Sequence, residues 1–184
     1  MSRRAVFLDR DGTLNVEKEY LHRSKDWEWI PGAIEAIRLL NTAGLVVIVT
    51  TNQSGVARGF YSEQAVRDLH AVVDRWLAAE GAHVDGYYYC PHHPQYGRVR
   101  DCDCRKPAPG LLLAATREHD IDLANSYVVG DKASDVGAAL AVGATPILVA
   151  TGYGKAERAK VDAKVPFVAD VLAAVQHIVA QCAP

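Results

Sequence analysis

The chain has 184 residues, 49% of them hydrophobic and 23% charged, and a net charge of −2. That length and composition fit a single domain with an ample core, and the charge leaves no electrostatic basis for binding nucleic acid or an anionic membrane. No apolar run approaches the roughly 18 residues of a membrane span, and the apolar segment behind Arg3-Arg4 meets Asp9 too early for a signal peptide, so the expected location is the cytoplasm.

The first predicted element is the short apolar run Ala5-Val6-Phe7-Leu8, a strand buried on both faces. It leads straight into Asp9-Arg10-Asp11-Gly12-Thr13. D-x-D-G by itself is compatible with a solvated Asp-Gly turn. Two carboxylates at the end of a buried strand, however, are expensive to desolvate unless something positive sits between them. A divalent cation with a phosphate nearby is the simplest compensation. Open parallel sheets also bind their ligands beyond the carboxyl ends of the strands.

Residues 17–30, with Tyr20, His22, Trp27 and Trp29, carry no helical period and read as a long ordered loop over the strand ends. Pro31-Gly32 opens a helix to about Ala43, with Ile34, Ile37 and Leu40 on one face and Gly44 as the stop. A second buried strand, Leu45–Val49, ends in Thr50-Thr51-Asn52-Gln53-Ser54-Gly55. Ser62 is placed to cap a long helix striped by Val66, Leu69, Val73, Trp76 and Leu77 and ending near Gly81. Residues 85–89 predict a third strand. Pro109-Gly110 precedes a helix to about His119, and residues 126–129 a fourth strand that ends at Gly130-Asp131-Lys132. An Ala-rich helix over 134–142, a fifth strand over 146–149, a Gly-bearing loop over 151–154, a short strand over 165–168 and a helix over 170–181 complete the chain. Alternation of this kind predicts an α/β fold, a Rossmann-like parallel sheet with helices on both faces. No repeat, low-complexity tract or linker divides residues 1–184, so one domain is expected.

Three apolar strands therefore end in polar tips, Asp9/Asp11, Thr51/Asn52 and Asp131, on one edge of a parallel sheet. Between them in sequence stands Cys104-Arg105-Lys106-Pro107, a pair of cations leading into a helix. A carboxylate nucleophile, a metal site, donors to phosphate oxygens and a fixed cation are the parts that phosphoryl transfer requires.

The set resembles the haloacid-dehalogenase-like phosphatases over nearly the whole chain. Asp9-Arg10-Asp11-Gly12-Thr13 matches their first motif, Thr51 the second, Lys106 the third, and Gly130-Asp131 with Asp135 the acidic fourth. The resemblance implies that Asp9 attacks phosphorus to form an aspartyl-phosphate and ligates Mg²⁺. It implies that Asp11 is the general acid and then base, with its backbone carbonyl on the metal. Thr51 and Lys106 would hold the phosphoryl oxygens, and Asp131 would complete a magnesium site of Asp9, Asp11 and Asp131. A small hard cation kept by a few carboxylates, waters and substrate phosphate is ordinary Mg²⁺ chemistry. Asp135 is either a supporting carboxylate or a favourable charge at a helix N-terminus.

Four cysteines are present, and three of them cluster. Cys90-Pro91-His92-His93 and Cys102-Asp103-Cys104 supply three thiolates and an imidazole, a closed tetrahedral set suited to structural Zn²⁺ within a loop over about 90–104. His92 and His93 both have workable spacing, and the resemblance favours Cys90, His92, Cys102 and Cys104. Cys182 is left as a packed or free thiol.

A zinc loop on this core is similar to two branches, the D-glycero-D-manno-heptose-1,7-bisphosphate 7-phosphatases and the histidinol-phosphate phosphatases. Thr51-Asn52-Gln53-Ser54-Gly55-Val56-Ala57-Arg58-Gly59 and the Cys-Arg-Lys-Pro run resemble the heptose branch, which implies a role in ADP- or GDP-heptose precursor synthesis for lipopolysaccharide. By that match Glu17, Lys18, Glu19, Tyr20, Asn52, Gln53, Ser54 and Arg105 would bind a small sugar bisphosphate. Arg105 would take the second phosphate, or else be a solvated ion pair; Arg58 stays open. No large cap domain is expected, and a monomer is the expected state. Two alternatives remain at this point: a histidinol-phosphate or other small sugar-phosphate phosphatase, and an inactive zinc-loop interaction module.

Overall fold

The protein is described by a computed structural model covering residues 2–182. Its centre is strand β1 (Ala5–Leu8), every residue of which is fully buried. Side chains alternate across a strand, so Val6 and Leu8 face one helical layer while Ala5 and Phe7 face the other. The first layer holds α1 (Ala33–Thr42), α2 (Glu63–Ala79) and α6 (Val171–Cys182); the second holds α3 (Gly110–His119) and α4 (Ala133–Ala141). A strand buried on both sides has no room for polar residues, which is why the run is apolar until Asp9.

Flanking β1 are β2 (Val46–Asn52) and β4 (Tyr127–Gly130). β3 (Gly86–Cys90) lies outside β2, and β5 (Thr145–Val149) and β6 (Phe167–Val168) lie outside β4. The resulting six-stranded sheet has the order β3-β2-β1-β4-β5-β6 and every pairing is parallel. Chain direction across the sheet reverses between β1 and β4, the point at which parallel sheets open a crevice for ligands. Leu8 pairs with Val49 on one side and Val129 on the other, so Asp9, Thr50 and Gly130 stand at one level across the sheet.

The predicted elements are present, with informative differences at their ends. β2 runs on through Thr50, Thr51 and Asn52 because β3 supplies ladder partners as far as Cys90, although the residue types there look like a turn. α2 is capped by Ser62, whose Oγ accepts from Ala65 N at 3.2 Å. β6 shrinks to two residues, since Pro166 has no N–H to donate and contributes only its carbonyl, which accepts from Leu148 N. The loop after β5 contains a short helix, α5 (Gly154–Glu157), that was not expected. The insertion after β3 is a loop and that after β1 holds only a 3-10 turn at Ser24–Asp26, so among the described residues no cap domain covers the strand ends. No helix among the described residues is long and apolar enough to cross a membrane.

Candidate active site at the strand tips

Asp9 leaves β1 with its carboxylate buried, and Lys106, from the turn before α3, meets it: Nζ lies 3.0 Å from Asp9 Oδ1. The same ammonium reaches Asp135 Oδ1 at 2.6 Å and donates to the Thr50 carbonyl at 2.7 Å. A buried cation is tolerable only when opposite charge and acceptors surround it, and here two carboxylates and a carbonyl do that. Asp135 also accepts from Lys132 N at 3.0 Å through its other oxygen, so it both caps α4 and anchors Lys106. The two readings of Asp135 open from sequence are thus both present in one side chain. Burial opposes ionisation of Asp9, but the Lys106 charge, followed by that of Lys132, holds its carboxyl below the usual range.

Asp131, at the tip of β4, has the opposite electrostatics. Burial first, then the nearby Asp9 charge, push its carboxyl up to about 8. One oxygen accepts from Tyr153 N at 2.8 Å, while the other has no hydrogen-bond partner and lies 3.6 Å from Lys132 Nζ. Carboxylate oxygens of Asp9, Asp131 and Asp135 converge within 4.8 Å of one another. A buried carboxylate oxygen without a donor, beside a second carboxylate, is what a hard divalent cation would satisfy. The group fits Mg²⁺. Gly12 and Gly152 close the other side: both have positive φ, and a Cβ on either would overlap the Asp131 carboxylate.

Asp11 sits outside that carboxylate group. Its oxygens accept from Arg10 Nη2, from Asn15 Nδ2 at 3.0 Å and from Gln53 Nε2 at 2.9 Å. Gln53 in turn donates to Thr51 Oγ1 at 2.9 Å and accepts from Tyr61 Oη at 2.7 Å. Asn52 grips the backbone of Lys106 at both its N–H and its carbonyl, each at 3.1 Å. The polar tip of β2 therefore holds both the acidic motif and the lysine turn in place.

These groups line a cavity of about 380 Å³. Asp9, Asp11, Glu17, Glu19, Tyr20, Thr51, Asn52, Gln53, Ser54, Arg105 and Lys106 all border it. Lys18 does not: it turns outward and pairs with Glu28 at 2.8 Å. Arg58 is also outside, its guanidinium 4.0 Å from the centroid of the Tyr96 ring. Four further lining residues were not singled out from sequence: Lys132, Tyr61, Ser134 and Tyr153. Lys132 and Tyr153 follow strand tips, so the rule that found Asp9 and Asp131 reaches them too. Lys132 is held by Glu17 at 3.3 Å and lies 4.9 Å from the Tyr153 ring centroid. Tyr61 enters from the loop before α2 and has no signature in the sequence.

Beside the cavity, Cys90, His92, Cys102 and Cys104 bring their donor atoms within 4.8 Å of one another. The Cys90 and Cys102 sulfurs are 3.7 Å apart, close to the roughly 3.8 Å edge of a tetrahedron with Zn–S bonds of about 2.3 Å. Burial pushes the Cys90 and Cys104 thiols up, Cys104 further because two sulfurs crowd it. Three converging thiols and one imidazole without a cation make a poor core, and the set fits Zn²⁺. His93, the competing histidine, is engaged elsewhere, with Arg58 Nη2 at 3.3 Å and Gln95 N at 3.1 Å. Arg105 Nη1 donates to the His92 carbonyl at 3.2 Å, which ties this cluster to the cavity wall.

Comparison with known proteins agrees with this geometry. A family model described as haloacid dehalogenase-like hydrolase matches residues 6–77, and one described as HAD-hydrolase-like matches residues 103–175. The D-glycero-beta-D-manno-heptose-1,7-bisphosphate 7-phosphatase of Escherichia coli (strain K12) is 49% identical over 153 residues, covering 80% of each chain. That of Yersinia pestis is 48% identical, covering 80% of this chain and 81% of its own. The crystal structure of D,D-heptose 1.7-bisphosphate phosphatase from B. bronchiseptica, complexed with magnesium and phosphate, superposes with a TM-score of 0.87 at 34% identity, over 97% of this chain and 99% of that one. With sequence and fold in agreement over most of its length, the chain belongs to the haloacid-dehalogenase-like hydrolases, in the family of the D-glycero-beta-D-manno-heptose-1,7-bisphosphate 7-phosphatases.

Proposed function

We propose that this chain hydrolyses the 7-phosphate of D-glycero-β-D-manno-heptose 1,7-bisphosphate and leaves the 1-phosphate in place, as the names of its relatives describe for them. Those names also carry the β anomer, which the sequence left open. The observation that carries the reading is the unequal state of the cations bordering one cavity. Lys106 is committed to Asp9 and Asp135, and Lys132 to Glu17 and Asp131. Arg105 donates to a backbone carbonyl and, among the described residues, forms no ion pair with a carboxylate. A planar guanidinium with donors to spare suits a second phosphate on the same substrate.

In the reaction, the Asp9 carboxylate attacks phosphorus and the bond to the sugar's C7 oxygen breaks. Asp11 supplies the proton that oxygen needs to leave as an alcohol. Water then attacks the aspartyl-phosphate and gives its proton to Asp11, which releases phosphate and restores Asp9. Lys106 Nζ, 3.0 Å from Asp9 Oδ1, is within reach of a phosphoryl oxygen brought to Asp9, and Thr51 Oγ1 is fixed on the same wall by Gln53. Asp9, Asp131 and the Asp11 carbonyl would hold Mg²⁺, which would supply charge neutralisation on the phosphoryl group. Zn²⁺ on Cys90, His92, Cys102 and Cys104 is structural, because four protein donors leave no open position. A single-domain monomer working in the cytoplasm completes the reading.

A substrate panel scored by kcat/KM, with ³¹P NMR of the product, tests it. The bisphosphate should be the best substrate and a sugar 1-phosphate the product. Faster hydrolysis of histidinol phosphate, or loss of the 1-phosphate, would overturn it.

A further inference from the structure

Arg10, between the two motif carboxylates, has no part in the reaction described so far. Its side chain is 1% exposed, a depth at which an arginine is kept only for specific partners. Nη2 lies 2.9 Å from each Asp11 oxygen and donates to the Leu21 carbonyl at 2.8 Å. Nη1 faces His70 Nε2 of α2 at 3.4 Å. His70 is itself stacked on Tyr87 of β3, with ring centroids 4.4 Å apart. Burial, with the Arg10 charge second, keeps that imidazole neutral, so its ring nitrogen can serve as an acceptor. The guanidinium is thus fixed by α2 at Nη1 and by the end of the cavity-lining loop at Nη2, and Nη2 also meets Asp11.

We propose that Arg10 is a positioning residue for Asp11: it sets the carboxyl group for proton transfer and balances the carboxylate left when the proton has gone to the leaving oxygen. The proposal rests on Asp11 being the general acid. As the P–O bond breaks, its electron pair stays on the C7 oxygen, the Asp11 proton joins that oxygen, and a negative charge appears on Asp11 beside the guanidinium. Asn15 and Gln53 also hold Asp11, but as neutral amides they orient it without supplying charge. Arg10 alone among these three donors does both.

The test separates proton donation from every other step by changing the leaving group. The alkoxide of a sugar phosphate needs a proton to depart, whereas p-nitrophenolate departs without one. kcat/KM reports steps up to formation of the aspartyl-phosphate, so it is free of the later water step. Arg10→Lys keeps the charge, but its single nitrogen cannot meet Asp11 and the Leu21 carbonyl while also facing His70, as the two guanidinium nitrogens do. It should lose about tenfold or more in kcat/KM on the heptose bisphosphate and no more than about threefold on p-nitrophenyl phosphate. Equal losses on the two substrates overturn the proposal. Should Arg10→Lys not fold, His70→Phe decides: it leaves the guanidinium but removes its outer anchor, and it should show the same unequal loss on a smaller scale. An equal loss, or none, would again overturn it. Asp11→Asn is measured alongside. If that variant itself loses equally on both substrates, the acid role of Asp11 is what has failed; if it loses unequally while Arg10→Lys does not, only the role of Arg10 has failed.

Discussion

At the scale of single residues, the site divides its charges by function. Asp9 is kept ionised by Lys106, as a nucleophile must be, and Asp9→Asn should abolish turnover in a folded protein; substantial remaining activity would exclude a covalent intermediate. Asp11→Asn should cost on the order of 10²–10⁴-fold in kcat/KM on alkyl phosphates, the usual range for a general acid. A charge-assisted contact to phosphate contributes roughly 1.5–3 kcal/mol, so Arg105→Ala should lower kcat/KM for the bisphosphate about 10- to 150-fold and for a monophosphate much less. Equal losses would place Arg105 on the reacting phosphate instead. His70 yields a pH prediction. Burial, with Arg10 behind it, holds its pKa down to about 3, against 6.5 for an ordinary imidazole. The unfolded chain therefore takes up that proton first as pH falls. The stability tied to the neutral ring is complete above about pH 6.5 and is lost between there and about pH 3, at up to about 1.4 kcal/mol per pH unit. His70→Phe should flatten this part of the curve in denaturant titrations; an unchanged slope would mean the ring is not held neutral.

At the scale of elements, the Cys/His loop and the β2 tip are where structure adds most to sequence. The loop between β3 and α3 has little apolar surface of its own, and its cohesion is the cluster of Cys90, His92, Cys102 and Cys104. Cys102→Ser or Cys104→Ser should lower bound zinc from about one per chain to near none by metal analysis, and should loosen residues 91–109 in hydrogen exchange before the sheet. A zinc-free protein with ordinary exchange in that loop would contradict a structural role. The choice of His92 over His93 rested on the resemblance, whereas the cysteines Cys90, Cys102 and Cys104 were legible because their spacing is short and their chemistry narrow. So were Asp9, Thr51 and Asp131, because a buried apolar strand that stops at a polar residue announces its own tip. Lys18 shows the limit of such reading. Glu17 and Glu19 border the cavity while Lys18 between them turns away to Glu28, in a loop that bends through positive φ at Glu19 and Tyr20. Tyr61 was out of reach for a different reason: its approach to Gln53 depends on how α2 is set against the sheet.

At the scale of the whole molecule, the site joins residues from 9 to 153, and only the folded chain assembles it. Ligands of the site must therefore stabilise the fold by mass action. Mg²⁺ with orthophosphate at about 100 times their dissociation constant should add about 2.7 kcal/mol, or roughly 5–11 °C in thermal midpoint, and a chelator should reverse it. No shift would mean that the carboxylate group takes no metal. The sheet order has one more consequence, which concerns how the protein is made. β1 is among the first segments synthesised, yet one of its two neighbours is β4, and Ala5 N bonds Ser126 Oγ, 121 positions later in the chain. At about 5–20 residues per second, the apolar β1 waits roughly 6–24 s on the ribosome with one edge unpaired. During that interval it is an open template for another strand, and a nascent chain is exposed to misassembly that the finished protein never meets. Chains arrested before β4 emerges should be readily cleaved by protease and those arrested after β6 should resist; early resistance would mean that β1 finds a substitute neighbour while it waits.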